Sequence, residues 1–340
     1  MKRPSIGGEA IIRSQTLEAR ILSYGASLCA LRLFDIPYSL ILGFPDAQDY
    51  LTRSGHFGAI AGPVANRIAG GSALLDCRLL SFEKNENNLN TLHGGALGTG
   101  RLAWTIVDQT EASVRLTLTL DNGHLGFQGP LRLSCYYHVT DAAELILTLE
   151  AETDQKSFCN LASHPYFCLD DTNDFRQHSL QINTSHYLPI CNEKIPTGRI
   201  ESVNNTTFDY RTTRSLSPLI SGNEHPIDHC FCWINENSDI PRTLRERATL
   251  TSSHSGISMT VMSDQPGLQF YTGHGIKDGL NGHDGKRYAP FSGLCLEAQA
   301  IPDAPHQPHF PSIEITPDRP YQQQTRLCFS QDKELQIKAS

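Results

Sequence analysis

The heptapeptide Val114-Arg115-Leu116-Thr117-Leu118-Thr119-Leu120 decides the fold. Apolar and polar residues alternate through it without a break. Neighbouring side chains of a strand point to opposite faces, so strict alternation marks a half-buried strand. Leu145, Leu147 and Leu149 repeat the pattern around Ile146, Thr148 and Glu150. Working outward, residues 19–24, 27–33, 77–82, 103–107, 131–139, 231–234, 256–262, 268–271 and 326–330 read as further strands. Turn-forming Asp121-Asn122-Gly123 and Asp141-Ala142-Ala143 separate them. Sustained 3.6-residue periodicity is nearly absent. Many short strands joined by Gly- and Pro-rich turns predict an all-β fold, a sandwich or a barrel.

No fixed repeat, low-complexity tract or compositional break divides the 340 residues, which predicts a single domain over 1–340. Residues 170–228 are the least regular and read as long loops. Such segments in a compact domain are usually functional. Loops at one end of the sandwich would then form the site.

The composition, 39% hydrophobic and 19% charged, is that of an ordinary globular protein. A net charge of −8 disfavours non-specific binding to nucleic acid or to an anionic membrane. Ten cysteines are scattered, many in strand-like runs. A chain this long builds its own core, so buried free thiols are expected rather than disulfides. No Cys/His spacing of a zinc site occurs, and no metal is expected. Glu9 and Arg13 interrupt any apolar run behind Lys2 and Arg3, and no apolar run approaches 18 residues. Neither a signal peptide nor a membrane span is expected, which points to the cytoplasm.

Residues 289–310, APFSGLCLEAQAIPDAPHQPHF, hold the first chemistry. Gly293-Leu294-Cys295-Leu296 reads as a buried strand, followed by Glu297 and Gln299. Residues two apart on a strand share a face, so this carboxylate and amide point the same way. Prolines 290, 302, 305, 308 and 311 fix the flanking backbone. A carboxylate among apolar neighbours has its pKa raised toward that of a general base. The plainer alternative is a salt-bridged strand-end glutamate.

Four other motifs carry polar groups at strand-to-loop junctions. Ala65-Asn66-Arg67-Ile68 offers an amide and a fixed fork of donors suited to sugar hydroxyls or a carboxylate. Arg67 could equally be a structural ion-pair partner. Leu92-His93-Gly94-Gly95 places His93 on an open turn, either to donate to a ligand oxygen or as a surface residue. In His164-Pro165-Tyr166-Phe167, His164 could deliver a proton or be a satisfied core histidine. Asp228-His229 puts a carboxylate at a strand mouth, to accept from hydroxyls or to cap a turn. No cofactor fingerprint, nucleophile elbow or phosphate loop is present. The chemistry left is cofactor-free proton transfer.

These ordered motifs, with Leu22-Ser23-Tyr24-Gly25-Ala26, Tyr271-Thr272-Gly273 and Leu296-Glu297-Ala298-Gln299, resemble the galactose mutarotases, or aldose 1-epimerases, over nearly the whole chain. The resemblance implies a large antiparallel β-sandwich, a supersandwich, with an open cleft. It implies an isomerase that interconverts α and β anomers of a free hexose such as galactose or glucose. Glu297 would take the anomeric proton and His164 would protonate the ring oxygen, from opposite sides of the C1–O5 bond. Arg67, Asn66, His93, Asp228 and Gln299 would bind the sugar. A monomer or homodimer needing no cofactor is expected.

Three departures stand out. Gly62-Pro63-Val64 replaces the family's Gly-Arg-Tyr, Ser163 stands where Asn often precedes the histidine, and Cys168 where Asn often follows Tyr-Phe. The last two put the hydrogen bonds around His164 in question. Other readings are a hexose-phosphate 1-epimerase using Arg199, Arg211 and Arg214, a non-catalytic sugar-binding module, and a glycosidase using Asp228 with Glu297.

Overall fold

The computed structural model describes residues 6–53, 55–234 and 243–332. Lys2 and Arg3 lie outside the described residues. The decisive heptapeptide falls inside the strand Ser113–Leu120, which pairs antiparallel with Leu131–Thr140 and Thr105–Gln109. Val114, Leu116 and Leu120 are buried and Leu118 is partly so.

These strands form one edge of a nine-stranded antiparallel sheet. It continues through Glu144–Thr153, Tyr321–Gln331, Ile257–Ser263, Arg245–Ser252 and His178–Ile182 to the short strand Arg214–Ser215. A second sheet runs Glu201–Ser202, His186–Tyr187, Asp228–Cys232, Gly267–Tyr271, Cys295–Gln299. A third runs Glu9–Arg13, Leu17–Leu22, Ser27–Leu33. The fold is all-β, a large antiparallel sandwich.

The second sheet positions the chemistry. Leu296 and Ala298 of its last strand face Tyr137, Leu145, Leu147 and Leu327 of the large sheet around a small internal cavity. Alternation therefore turns Cys295, Glu297 and Gln299 to the opposite face. Each fully buried Leu, Val, Ile or Phe contributes roughly 1.5–3 kcal/mol. One apolar cluster runs from Ala10 to Phe329, so the strand carrying Glu297 rests on the main core.

The structure refines three expectations. Residues 170–228 are mostly irregular, as expected, but four short strands and the short helix Ser217–Ile220 lie among the loops. His178–Ile182 hid because a histidine occupies an inward position, buried with Leu180 and Ile182. Its Nε2 accepts the Leu169 N–H at 2.8 Å. Arg245–Ser252 hid because Arg247 is buried over Trp233, 4.4 Å from the ring centroid, where a register shift breaks the alternation. The strand expected at 77–82 shortens to Arg78–Ser81, since Asp76 and Cys77 take left-handed turn conformations. All ten cysteines are free thiols and seven are buried.

Candidate active site

An open cavity of about 580 Å³, counting the space at its mouth, lies on the face of the second sheet that bears Glu297. Ligand pockets typically run to about 300–1,000 Å³, so a hexose fits this range. Three adjacent strands supply the floor. Gln269 sits opposite Glu297, and Tyr271 opposite Asp228. Loops bring Asn66, Arg67, His93, His164, Tyr166 and Lys194 to the walls.

Glu297 and His164 meet here. Oε1 lies 3.6 Å from Nε2, and both side chains are almost wholly buried. Burial pushes the Glu297 carboxyl well above the usual carboxylate range; the negative charge of Asp228 adds to the rise and Arg67 opposes it. Burial pushes His164 down to about 4, against a backbone hydrogen bond and Asp228. Burial thus disfavours the charged form of each partner. The Cys295 thiol lies 3.5 Å from His164 Nδ1 on the far side of the ring.

Asn66 and His93 form a second unit. Both are non-glycine residues with left-handed backbones, at φ 60° and 50°. Such conformations cost about 1–3 kcal/mol each and gather at functional sites. The His93 N–H donates to the Asn66 carbonyl at 2.9 Å, and the Asn66 N–H donates to His93 Nδ1 at 3.2 Å. With Nδ1 accepting, the neutral ring carries its proton on Nε2. The turn needs Gly94, at φ 79°, because a Cβ there would collide with the Gly62 carbonyl. Burial and the neighbouring His56 and His164 push the His93 pKa well below its ordinary value.

Arg67 follows Asn66. Its Nε and Nη2 grip Glu86 Oε2 and Oε1 at 2.8 and 2.7 Å. It is therefore both an ion-pair partner and a wall of the cavity. Asp303 anchors this loop to the segment after Glu297, accepting the Ala69 N–H at 2.9 Å.

Asp228 is held from both sides. Gln269 Nε2 donates to Oδ1 at 2.8 Å and Lys194 Nζ to Oδ2 at 2.9 Å. Burial alone would raise its pKa, but Lys194, Arg67 and Gln269 together hold it below the ordinary value.

Among the described residues, two clusters have ligand atoms close enough for a cation. His164, Cys295 and Glu297 place theirs within 4.8 Å of one another, as do Cys168, Asp170 and His178. In the first, burial pushes the Cys295 thiol pKa well above its ordinary value, so it stays protonated against His164. In the second, His178 Nε2 accepts a backbone N–H, so Nδ1 carries the proton toward Asp170, 3.6 Å away. Both sets suit hydrogen bonding better than metal ligation.

Six of the seven residues singled out in the sequence line this cavity: Asn66, Arg67, His93, His164, Asp228 and Glu297. Gln299 does not. It shares the face of Glu297 but is fully buried and lies outside the cavity lining. Glu297 and His164 stand side by side rather than on opposite sides of a ring. That arrangement suits O1 and O5, which are both bonded to C1. Cys168 contacts Asp170 rather than His164, whose sulfur neighbour is Cys295. Arg199, Arg211 and Arg214 pair with Glu201, Asp209 and Glu224 and lie outside the cavity lining, which removes the cations of the phosphate reading. Sequence reasoning missed His56, Lys194 and Gln269. The strand alternation around Gln269 was the one signal available for any of them.

The fold is all-β, and the cavity gathers ionisable side chains from strands and loops far apart in the chain. A family model described as Aldose 1-epimerase matches residues 10–328. Galactose mutarotase of Bos taurus is 34% identical over 325 residues, spanning 94% of this chain and 93% of its own. Aldose 1-epimerase of Escherichia coli (strain K12) is 30% identical over 323 residues, 91% of each chain. The crystal structure of a GalM/aldose epimerase homologue from C. elegans has a TM-score of 0.86 at 26% identity, covering 95% of this chain and 99% of that one. The chain belongs to the aldose 1-epimerase family. It is an isomerase with the activity of that family.

Proposed function

We propose that this cavity exchanges the α and β anomers of a free hexose, galactose or glucose, by opening and reclosing its ring. Glu297 is the base on the anomeric hydroxyl and His164 the acid on the ring oxygen. The observation that carries this reading is the 3.6 Å approach of Glu297 Oε1 and His164 Nε2 at the floor of a polar cavity. Ring opening removes a proton from O1 and supplies one to O5, and closure reverses both. A pair that shares one proton can do this without net exchange with solvent. Hydroxyls donated by a bound sugar favour the carboxylate form of Glu297, which moves the proton toward His164. His93 donates through Nε2 to a sugar oxygen, and Asn66 and Arg67 orient the ring. Asp228 accepts from hydroxyls on the far side. Each proton-transfer group contributes typically about 10²–10⁴-fold.

The remaining features are read the same way. Residues 1–340 act as one domain, in the cytoplasm, as a monomer or homodimer, without nucleic acid or cofactor. Among the described residues no helix is long and apolar enough to cross a membrane. The test is polarimetry of freshly dissolved α-D-galactose and α-D-glucose with metal-free protein. Accelerated decay of the rotation is expected. A wild-type protein inert on every free aldose but active on a 6-phosphate overturns the reading.

A further inference from the structure

Lys194 does not belong to the sheet that floors the cavity. It ends a tight turn, with its N–H donating to the Cys191 carbonyl at 2.9 Å and the Cys191 N–H donating to the Ile195 carbonyl at 2.9 Å. Its own backbone is left-handed, at φ 61°. A little further on, His309 Nε2 donates to the Gly198 carbonyl at 2.7 Å, tying this loop to the segment that follows Glu297. A lysine on a surface turn would ordinarily extend into solvent. This one lines the cavity and lays its ammonium 2.9 Å from Asp228 Oδ2.

Its place in the cavity matters. The strand of Asp228 is separated from that of Glu297 by Gly267–Tyr271 alone. Two strand spacings are about 10 Å. With C1 of a sugar at Glu297 and His164, the Asp228–Lys194 pair meets the opposite end of the ring.

A hydroxyl both donates and accepts. A carboxylate only accepts, and an ammonium only donates. Asp228 alone could take a hydroxyl proton but would leave the hydroxyl oxygen unpaired. Lys194 Nζ uses one of its three protons on Asp228 and keeps donors for that oxygen. Held 2.9 Å apart, the two charges satisfy one sugar hydroxyl completely, through charge-assisted bonds on both sides.

We propose that Lys194 is a specificity-determining residue: with Asp228 it reads the hexose hydroxyl remote from C1 and discriminates against sugars that lack it. The inference rests on the epimerase reading of this cavity and deepens it. A site built to bond a hydroxyl rejects the analogue without one, because its own polar groups are then left unpaired.

The experiment measures kcat and KM for anomerisation of galactose and glucose and of their 3-, 4- and 6-deoxy forms. Wild type is compared with Lys194→Met, which keeps the stem and removes the charge, and with Lys194→Arg, which keeps charge and donors. On the parent sugar, Lys194→Met is expected to raise KM by about tenfold or more, the scale of one charged hydrogen bond, with kcat little changed. On one deoxy sugar the wild-type KM is expected to be high already, and Lys194→Met to add nothing. Lys194→Arg is expected to recover most of the parent-sugar KM. A KM rise of equal size on every sugar marks a merely structural lysine and overturns the proposal. So does an unchanged KM, or a fall confined to kcat. A Lys194→Met protein that does not fold is replaced by Lys194→Ala, read by the same KM pattern. A wild-type protein inactive on all aldoses sinks the epimerase reading itself, an outcome distinct from an active wild type that Lys194→Met matches.

Discussion

Two buried carboxyls share one cavity and behave oppositely. Glu297 sits between apolar strand residues, with a 3.6 Å contact to a histidine and an Oε2 that has no partner among the described residues. Asp228, two strands away, has Gln269 on one oxygen and Lys194 on the other. Burial acts on both. It prevails at Glu297 and is overcome at Asp228 by the nearby cations. Paired titratable groups whose surroundings drive their pKa values apart mark the division of acid–base labour in a site. In the proposed mechanism the carboxyl left short of partners is the one that exchanges a proton. The one surrounded by donors stays charged and holds.

The largest expected effect breaks this contrast at its chemical end. Glu297→Gln keeps shape and burial but cannot exchange a proton. We expect kcat for anomerisation to fall by about 10³-fold, within the usual range for a general base, while circular dichroism stays that of wild type. Retention of full activity in polarimetry would sink the role given to Glu297.

Asp228→Asn tests the holding end. It leaves Lys194 without its anionic partner, so KM should rise by roughly 10–100-fold, the scale of one or two charged hydrogen bonds. A second consequence has a definite sign. The charge of Asp228 helps to raise the Glu297 pKa, so removing it lowers that pKa. The acidic limb of the kcat/KM profile should therefore move to lower pH. Its midpoint belongs to the coupled Glu297–His164 pair rather than to one residue. A limb that stays put or moves upward would separate the two carboxyls electrostatically.

Stability sharpens the contrast further, because the two carboxyls have opposite linkage. The folded pKa of Glu297 is raised, so its contribution is fully present below the unfolded value near 4.5 and is lost as pH rises. The folded pKa of Asp228 is lowered, so its contribution is present above the unfolded value near 3.8 and is lost as pH falls through the folded value. Relative to wild type, Glu297→Gln should gain melting temperature from pH 5 to pH 8. Asp228→Asn should be destabilised across that range, and its deficit should shrink only near pH 3. Thermal scans at pH 3, 5 and 8 check both slopes, and parallel curves for the two variants would contradict the assignment.

The legibility of the molecule follows the same division. Strands such as Ser113–Leu120 were legible because one face is buried and the other wet, which writes period two into the residues. Glu297 and His164 were legible because each interrupts an apolar strand or leads into a proline. What escaped depends on contacts far apart in the chain. Glu86 as partner of Arg67, and Lys194 as partner of Asp228, are 19 and 34 residues away, and nothing local announces either pairing. Gln299 was placed on the correct face by alternation, but depth along the strand is not written in the alternation. His178 and Arg247 look like surface residues until Leu169 and Trp233 are seen to satisfy them.

The smallest expected effect concerns Cys295, which sets the ground state of the exchanging pair. Its Sγ lies 3.5 Å from His164 Nδ1, and burial keeps the thiol protonated. When His164 is neutral, the S–H donates to Nδ1 and leaves the ring proton on Nε2, facing Glu297. When His164 is protonated, Nδ1–H donates to sulfur instead. The thiol serves both states because it is a weak donor and a weak acceptor. Cys295→Ala removes this adaptable neighbour and should lower kcat by only about two- to fivefold, since a bond to sulfur is worth less than the ~1 kcal/mol of an ordinary one. Cys295→Ser keeps a donor and an acceptor and should recover most of the loss. If serine proves worse than alanine, the sulfur acts by filling space rather than by orienting His164.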